Sequence, residues 1–338
     1  MESFHLAGLK LKYWRINYEG YGELIMKELL VHIRSSIPFI HSDRIFGAIC
    51  VAMNDFGEEK LIDMLENFNK EPPFLLSSVF PYIDYDGRTY FLPKPIEDIK
   101  KMDDHRKYID NYKKLDSVKY ISADIFNDWI NGKTNEAYIL QNLDKHNIKS
   151  GLLFPKEKIL KFDIISYDTP RNRVNRLNNL SEDIFYFGDN SYKNVNLFFI
   201  IRIYDHKYEE LLKCLLTFLK DYRGFGKDLS VGKGRFEIEE FSENKIFESP
   251  KDCKRFITLS RYIPSADEIN MFKVRKEIYY DIVTKRGMMS GNKPKKQVRF
   301  FSEGSTFPNL KNIYGRILYV HEKAVEYGFA LNVGISYG

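Results

Sequence analysis

The chain lacks the features that mark secreted and membrane-spanning proteins. Its three cysteines, Cys50, Cys214 and Cys253, are far apart and form no C-x-x-C pair, so neither a disulfide framework nor a zinc site is expected. The longest apolar run, near Leu197–Ile201, is too short to span a bilayer. The initial MESFHLAGLK has an early acid and no long apolar core, unlike a signal peptide. We therefore expect a cytoplasmic protein that needs no metal or other cofactor.

The composition excludes disorder but does not by itself identify a partner. Apolar residues make up 43% of the 338 positions and aromatic residues 15%, which suits about two ordinary domains with buried cores. The formal charge of +5 is only mildly basic. Binding to nucleic acid would therefore depend on local Lys/Arg clusters. Three such clusters occur, within residues 171–176, 223–235 and 285–299.

Alternating apolar and polar residues predict strands over Leu9–Tyr13, Val195–Ile203 and Arg235–Phe241. Helical spacing predicts a first helix that begins at Ser42, as its N-cap, with Asp43 near the positive end of the helix dipole. A second helix is predicted after the strand that ends at residue 203.

The two predicted helices have apolar stripes that should face the core. In the first helix, Phe46 and Ile49 are expected to be core residues. The second helix opens at Glu209 and Glu210, and Gly224 is a natural stop for it. Its predicted buried stripe consists of Leu211, Leu212, Leu215, Phe218, Leu219 and Tyr222.

Each half of the chain therefore offers a strand, a helix and further strands, which is typical of a ferredoxin-like βαββαβ domain. The predicted fold class is α+β, with two ferredoxin-like (RRM-like) domains. Residues 1–190 form the first and residues 191–338 the second, divided at the turn-rich segment 188–193. A helical insertion with a solvated surface is expected over residues 98–149.

The most informative segment is Tyr222–Phe236, YRGFGKDLSVGKGRF, with four glycines and four cations against one acid. Glycines let a backbone approach a ligand closely, and amides between them can hold phosphate oxygens. The spacing excludes a Walker A loop, because Lys233 lies seven residues after Gly226 and is followed by Gly234. A Rossmann fingerprint is also excluded, since Leu229 replaces its third glycine.

Two other segments have residues that suit RNA. Arg171, Arg173 and Arg176 occur with no acid between residues 169 and 180, and guanidinium groups stack on bases and bind phosphate. Asn172 and Asn175 offer donors and acceptors for base edges. The 285–299 run is also free of acids, and suits either RNA or an acidic protein surface.

Four segments, in order along the chain, resemble one family. HSDRIFGAIC at His41–Cys50, TPRNRVNR at Thr169–Arg176, the glycine-rich segment and YGFALNV at Tyr327–Val333 are similar to the fourth Csm subunit. That subunit is a member of the RAMP (repeat-associated mysterious protein) superfamily. Leu229 departs from the family pattern, which usually has a basic residue there.

The resemblance implies a non-catalytic subunit of a type III-A CRISPR interference complex. Such subunits bind the 5′ repeat-derived tag of the guide RNA (crRNA) and contact the large polymerase-like subunit and the repeated RAMP backbone subunit. Carried over residue by residue, the resemblance and the local chemistry give a list of RNA-binding candidates. They are His41, Ser42, Asp43, Arg44, Arg171, Asn172, Arg173, Arg176, Arg223, Gly224, Gly226, Lys227, Ser230, Gly232, Lys233, Gly234 and Arg235.

The His41-Ser42-Asp43 cluster has two further interpretations. Ser42 and Asp43 suit helix capping, with the exposed helix end helping to hold RNA. His41 would instead be the general base of a metal-independent RAMP endoribonuclease that processes CRISPR precursor RNA, with Tyr222 or Lys233 stabilising charge. A target-cleaving backbone subunit would need an aspartate in an N-terminal loop, and Asp43 at a helix start suits that role poorly.

Overall fold

The computed structural model describes residues 26–34, 40–98, 105–174, 177, 180–225, 234–275, 277–287, 295–321 and 324–336. The strand predicted over Leu9–Tyr13 lies outside these residues. So do Arg176, Gly226, Lys227, Ser230, Gly232 and Lys233 among the RNA-binding candidates.

The described residues form an α+β fold. Its helices are α1 (Ser42–Phe56), α2 (Glu58–Phe68), α3 (His105–Asp116), α4 (Ala123–Ile130), α5 (Glu136–Gln141), α6 (Lys207–Phe218) and α7 (Ala266–Lys273). The first eleven strands are β1 (Lys27–Arg34), β2 (Phe74–Leu76), β3 (Phe80–Asp84), β4 (Arg88–Pro93), β5 (Tyr120–Ser122), β6 (His146–Lys149), β7 (Leu152–Pro155), β8 (Asp163–Val174), β9 (Ser181–Lys193), β10 (Val195–Ile203) and β11 (Glu237–Ser242). The remaining strands are β12 (Arg255–Thr258), β13 (Ile282–Lys285), β14 (Val298–Phe301), β15 (Thr306–Pro308), β16 (Tyr314–His321), β17 (Ala324–Ala330) and β18 (Asn332–Ile335).

A nine-stranded mixed sheet organises the larger part of the chain. Its strand order is β11-β1-β10-β3-β4-β5-β7-β6, and β2 also pairs with β10. The predicted boundary at residues 190 and 191 falls between β9 and β10, yet β10 pairs with β1 along its length, from Lys27 opposite Ile203 to Ile33 opposite Leu197. The nine-stranded sheet therefore contains strands from both sides of the predicted boundary, because β10, which follows the boundary, pairs with β1.

After β10, α6 continues into a π turn over Leu219–Arg223, and this helical segment stops at Gly224 as predicted. The φ of Gly224 is 78°, which favours glycine. Leu212, Leu215 and Leu219 of the predicted stripe are buried. Tyr222, however, is 55% exposed. Its predicted burial fails because residues Leu219–Arg223 form a π turn, which shifts the helical phase away from the core.

The C-terminal segment packs its aromatic residues into the same core as α1. The ring centroid of Tyr327 lies 4.9 Å from that of Phe46, and its hydroxyl accepts a hydrogen bond of 2.9 Å from the backbone N–H of Leu76. Phe46 and Ile49 are fully buried, as their spacing predicts. Two of the family-like segments therefore meet in the interior.

The insertion is largely helical, as expected, but its surface is not merely solvated. Phe126, Trp129 and Ile130 of α4 are buried, and the Trp129 indole donates a hydrogen bond to Glu97 at 2.5 Å. The backbone N–H of Ser336 bonds to the carbonyl of Ile130 at 2.9 Å. The segment is polar overall, but it contains the short amphipathic helix α4, which joins the insertion to the C-terminal strands.

No helix within the described residues is long and apolar enough to cross a membrane. The three thiols are free, and burial raises the pKa of Cys50 to about 12.

Candidate RNA-binding surfaces

The start of α1 is buried, which differs from the exposed helix end predicted from the sequence. The helix begins at Ser42 with His41 as its N-cap, whereas the sequence predicts Ser42 as the N-cap. The Ser42 N–H donates to Ser78 Oγ at 2.9 Å, and Ser42 Oγ accepts from the Arg261 N–H at 3.1 Å. Ser42 and Asp43 are both buried, so only His41 and Arg44 of this cluster reach the surface.

His41 is held by a buried carboxylate from far along the chain. Its Nδ1 lies 2.8 Å from Glu303 Oε1, which also accepts a hydrogen bond from the Ser78 hydroxyl. Burial acts to raise the pKa of Glu303, but the hydrogen bonds from His41 and Ser78 outweigh it and lower that pKa. Because an ionised carboxylate only accepts hydrogen bonds, Nδ1 carries a proton and Nε2 remains for a ligand.

Asp43 belongs to a cluster of buried ion pairs. Its Oδ2 lies 2.5 Å from Lys285 Nζ, and its Oδ1 lies 3.5 Å from Arg261 Nη1. Lys285 also pairs with Glu326 at 2.6 Å, and Lys295 lies 3.8 Å from the same carboxyl group. The Asp43 carboxylate is therefore engaged inside the protein, and it joins α1 to the basic segment 285–299.

The two ends of the glycine-rich loop are held together at its base. Phe225 and Phe236 are buried and stack with their ring centroids 4.1 Å apart. The Phe225 N–H donates to the Gly234 carbonyl at 2.8 Å. Gly224 and Gly234 have φ of 78° and 83°, a region that L side chains rarely adopt. This base lies directly before β11, the edge strand of the nine-stranded sheet.

The base of the glycine-rich loop and His41 lie at opposite ends of α1. Arg223 Nη2 pairs with Asp55 Oδ2 at 2.7 Å, near the C-terminal end of that helix. The Tyr222 ring packs at a tilt against Phe218, with ring centroids 5.2 Å apart, and Phe218 packs against Phe56 at 5.0 Å. At 1.5 Å per residue, the helix separates these groups from its first residue by about 20 Å. The structure therefore does not bring His41 and Tyr222 together.

The arginine segment lies on β8, which pairs with β9 in a two-stranded antiparallel sheet. Arg171 and Arg173 are two residues apart on this strand. Asn172 is exposed, lies between them and has polar or charged contacts of its own.

Exposed cations near the glycine-rich loop are few within the described residues. Arg235 is exposed and interacts with other residues, and Arg223 is half-exposed despite its pairing with Asp55. The remaining cations of this loop, Lys227 and Lys233, lie outside the described residues.

Sequence reasoning missed four residues that shape these surfaces: Ser78, Arg261, Glu303 and Glu326. Their partners lie far away in the sequence; Glu303 is 262 positions from His41. No local pattern indicates such contacts. Within the described ranges, no group of three or more His, Cys, Asp or Glu side chains could hold a metal ion.

Comparison with known proteins adds two findings to this geometry. Residues 251–335 match the family model of the CRISPR Csm4 C-terminal domain. No curated protein matches the chain.

Solved structures resemble nearly the whole chain. A chain from the crystal structure of the Csm3–Csm4 subcomplex in the type III-A CRISPR-Cas interference complex has a TM-score of 0.63 at 18% identity, covering 91% of this chain and 99% of that chain. Chains from the Csm1–Csm4 cassette in complex with pppApA or with cA4 have TM-scores of 0.56 and 0.58, at 20% and 18% identity. They cover 91% and 92% of this chain, and 98% of each of those chains.

The mixed α+β fold is thus one found in chains of type III-A CRISPR assemblies. The resemblance to the fourth Csm subunit is confirmed at the C-terminal segment by the Csm4 family model, and the whole chain shares its fold with chains of Csm3–Csm4 and Csm1–Csm4 structures.

Proposed function

We propose that this chain is a non-catalytic subunit of a type III-A CRISPR interference complex that binds the 5′ repeat tag of crRNA. The observation that carries the proposal is the Csm4 C-terminal domain match at residues 251–335. The packing of Tyr327, from that segment, against Phe46 of α1 supports extending the role to the rest of the chain. The complex acts in antiviral defence in the cytoplasm.

RNA is held along an extended path in this proposal. His41 and Arg44 contribute at one end of α1, and the glycine-rich loop contributes at the other end. Arg171, Asn172 and Arg173 on β8 add a third contact region. The separation of about 20 Å between the ends of α1 suits a single-stranded ligand that spans several nucleotides. Ser42 and Asp43 support the first region from inside the protein.

The proposed partners are the large polymerase-like subunit and the repeated RAMP backbone subunit, which this chain bridges. Similar chains come from a Csm3–Csm4 subcomplex and from Csm1–Csm4 cassettes. Those assemblies support the choice of partners, although their sequences are only 18–20% identical to this chain.

The proposal also includes two ferredoxin-like units. In the first, β1-α1-β3 and β10-α6-β11 are two strand–helix–strand halves, and their first strands pair at the centre of the sheet. The insertion and the β8–β9 hairpin lie between the halves in the sequence. The second unit follows β11 and contains the 251–335 match.

The proposal is tested by titrating the full chain into labelled tag RNA from the host's own CRISPR repeat, with a shuffled RNA of equal length as control. We expect tighter binding of the tag RNA and no cleavage of repeat RNA. Equal affinity for both RNAs would contradict recognition of the tag.

The endoribonuclease alternative requires His41 and a charge-stabilising group at one site. Tyr222 packs at the far end of α1, so this pair does not support the chemistry. Cleavage of repeat RNA that is lost in His41→Ala would nevertheless establish that activity and overturn the non-catalytic role.

A further inference from the structure

The β13–β14 hairpin has an inner face and an outer face with different roles. Lys285 pairs with buried Val298 in the strand register, and Thr284 pairs with Arg299. Because side chains alternate along a strand, Lys285 and Val298 face inwards while Thr284 and Arg299 face outwards. The same alternation puts Arg286, directly after β13, on the outer face.

The inner face is fixed to the protein by ion pairs. Lys285 contacts both Asp43 and Glu326, at 2.5 and 2.6 Å. The carboxylates of Asp43 and Glu326 have side-chain exposures of 0% and 5%. Beyond β13, the Lys295 N–H donates to the Gly287 carbonyl at 2.9 Å, which keeps the two sides of the hairpin together. The hairpin is therefore anchored beside the start of α1.

The anchoring carboxylates do not neutralise the outer face. Their ion pairs use Lys285, Lys295 and Arg261. Arg286, Lys296 and Arg299 are exposed, and none of the ion pairs found among the described residues includes them. Residues 285–299 contain no acid, so this surface has an uncompensated positive charge.

An exposed aromatic side chain lies on the segment that leads into β13. Tyr280 is 46% exposed, and its ring packs edge-on against Phe301 at 4.7 Å. Ile282 is also exposed. Asp281, between them in the sequence, lines a cavity together with Glu303. A surface of arginines with an exposed, supported ring suits phosphate contacts and base stacking.

From this arrangement we infer that the outer face of the β13–β14 hairpin is an additional RNA-binding surface, with Arg286 and Arg299 on phosphates and Tyr280 under a base. The inference rests on the proposed function and extends its RNA path beyond His41. We choose RNA over a protein as the occupant because Arg286, Lys296 and Arg299 are exposed on a segment without acids, which matches a phosphate backbone. Tyr280 and Ile282 are its large exposed apolar side chains, which is little for the apolar core of a protein interface.

The test measures binding of the full chain to the tag RNA at several salt concentrations. The variant is Arg286→Gln with Arg299→Gln. The control, Lys133→Gln with Lys245→Gln, removes the same charge from exposed positions elsewhere. Losing two phosphate contacts should reduce the slope of log K against log salt by about 1.4. The Kd should rise on the order of tenfold, while the control stays near the wild type.

The outcomes separate this inference from the proposed function. Wild-type protein that fails to prefer tag RNA would contradict the proposed function itself. Wild-type binding with an unchanged slope in the arginine variant would overturn only the hairpin inference. If the arginine variant no longer binds the polymerase-like subunit while its RNA affinity is intact, the hairpin inference would also be overturned, and the face would be assigned to a protein. Tyr280→Ala should weaken RNA binding without changing the salt slope.

Discussion

Replacing Asp43 with asparagine should destabilise the protein far more than removal of an ordinary surface charge. The carboxylate is completely buried and faces Lys285 at 2.5 Å and Arg261 at 3.5 Å. Removing one partner of a buried pair costs about 3–5 kcal/mol, because the other charge stays buried and uncompensated. Lys285 keeps Glu326 at 2.6 Å, so we expect the lower end, about 3 kcal/mol.

The matched control is Asp124→Asn. Asp124 also lies in the first turn of a helix and pairs with a lysine, but its side chain is 59% exposed. Both variants lose the same helix-dipole interaction, so their difference isolates the effect of burial. This difference is measured as the free energy of unfolding from urea titrations. The control variant should lose at most about 1 kcal/mol of that free energy. Equal losses in the two variants would refute the structural role of Asp43.

Three further predictions concern the core, the loop base and pH. Leu215→Ala should cost about 2–5 kcal/mol by transfer and cavity terms, and a urea midpoint equal to the wild type would show that the stripe is misplaced. Gly234→Ala should destabilise by roughly 1–2 kcal/mol because of its left-handed φ, whereas Gly47→Ala, which has open space around it, should stabilise α1 by about 0.5–1 kcal/mol. Since the pKa of Glu303 is lowered in the fold, its stabilisation is present above the ordinary glutamate pKa and is lost as pH falls through the lowered value. Glu303→Gln should remove this acid dependence, and parallel pH–stability curves for the two proteins would argue against it.

Local periodicity was enough to predict several elements. The β10 range and the start of α1 follow from apolar spacing within single segments, and Gly224 ends the second helix because few other residues adopt its conformation. The burial of Phe46 follows from the same spacing. Tyr222 departs from this pattern because a π turn changes the helical phase, and no residue type signals such a turn reliably.

Long-range pairing accounts for the features that were not predicted. The pairing of β1 with β10 joins residues on both sides of the turn-rich segment chosen as a domain boundary. Asp43 and Lys285 are 242 positions apart, so nothing near Asp43 distinguishes an exposed helix end from a buried ion pair. The basic segment 285–299 likewise contains lysines that anchor it to the protein and arginines that are exposed. The strand register, and not the local sequence, shows which cations face inwards and which face outwards.

The role of this chain as a guide-RNA-binding subunit is tested most directly by purifying the tagged protein from its native host. Mass spectrometry would identify co-eluting proteins, and sequencing would identify bound RNA. We expect a large polymerase-like subunit, a repeated RAMP subunit and short RNAs that share one 5′ tag. Recovery of the protein alone, without RNA and with cleavage of repeat transcripts, would contradict that role and favour a processing endoribonuclease.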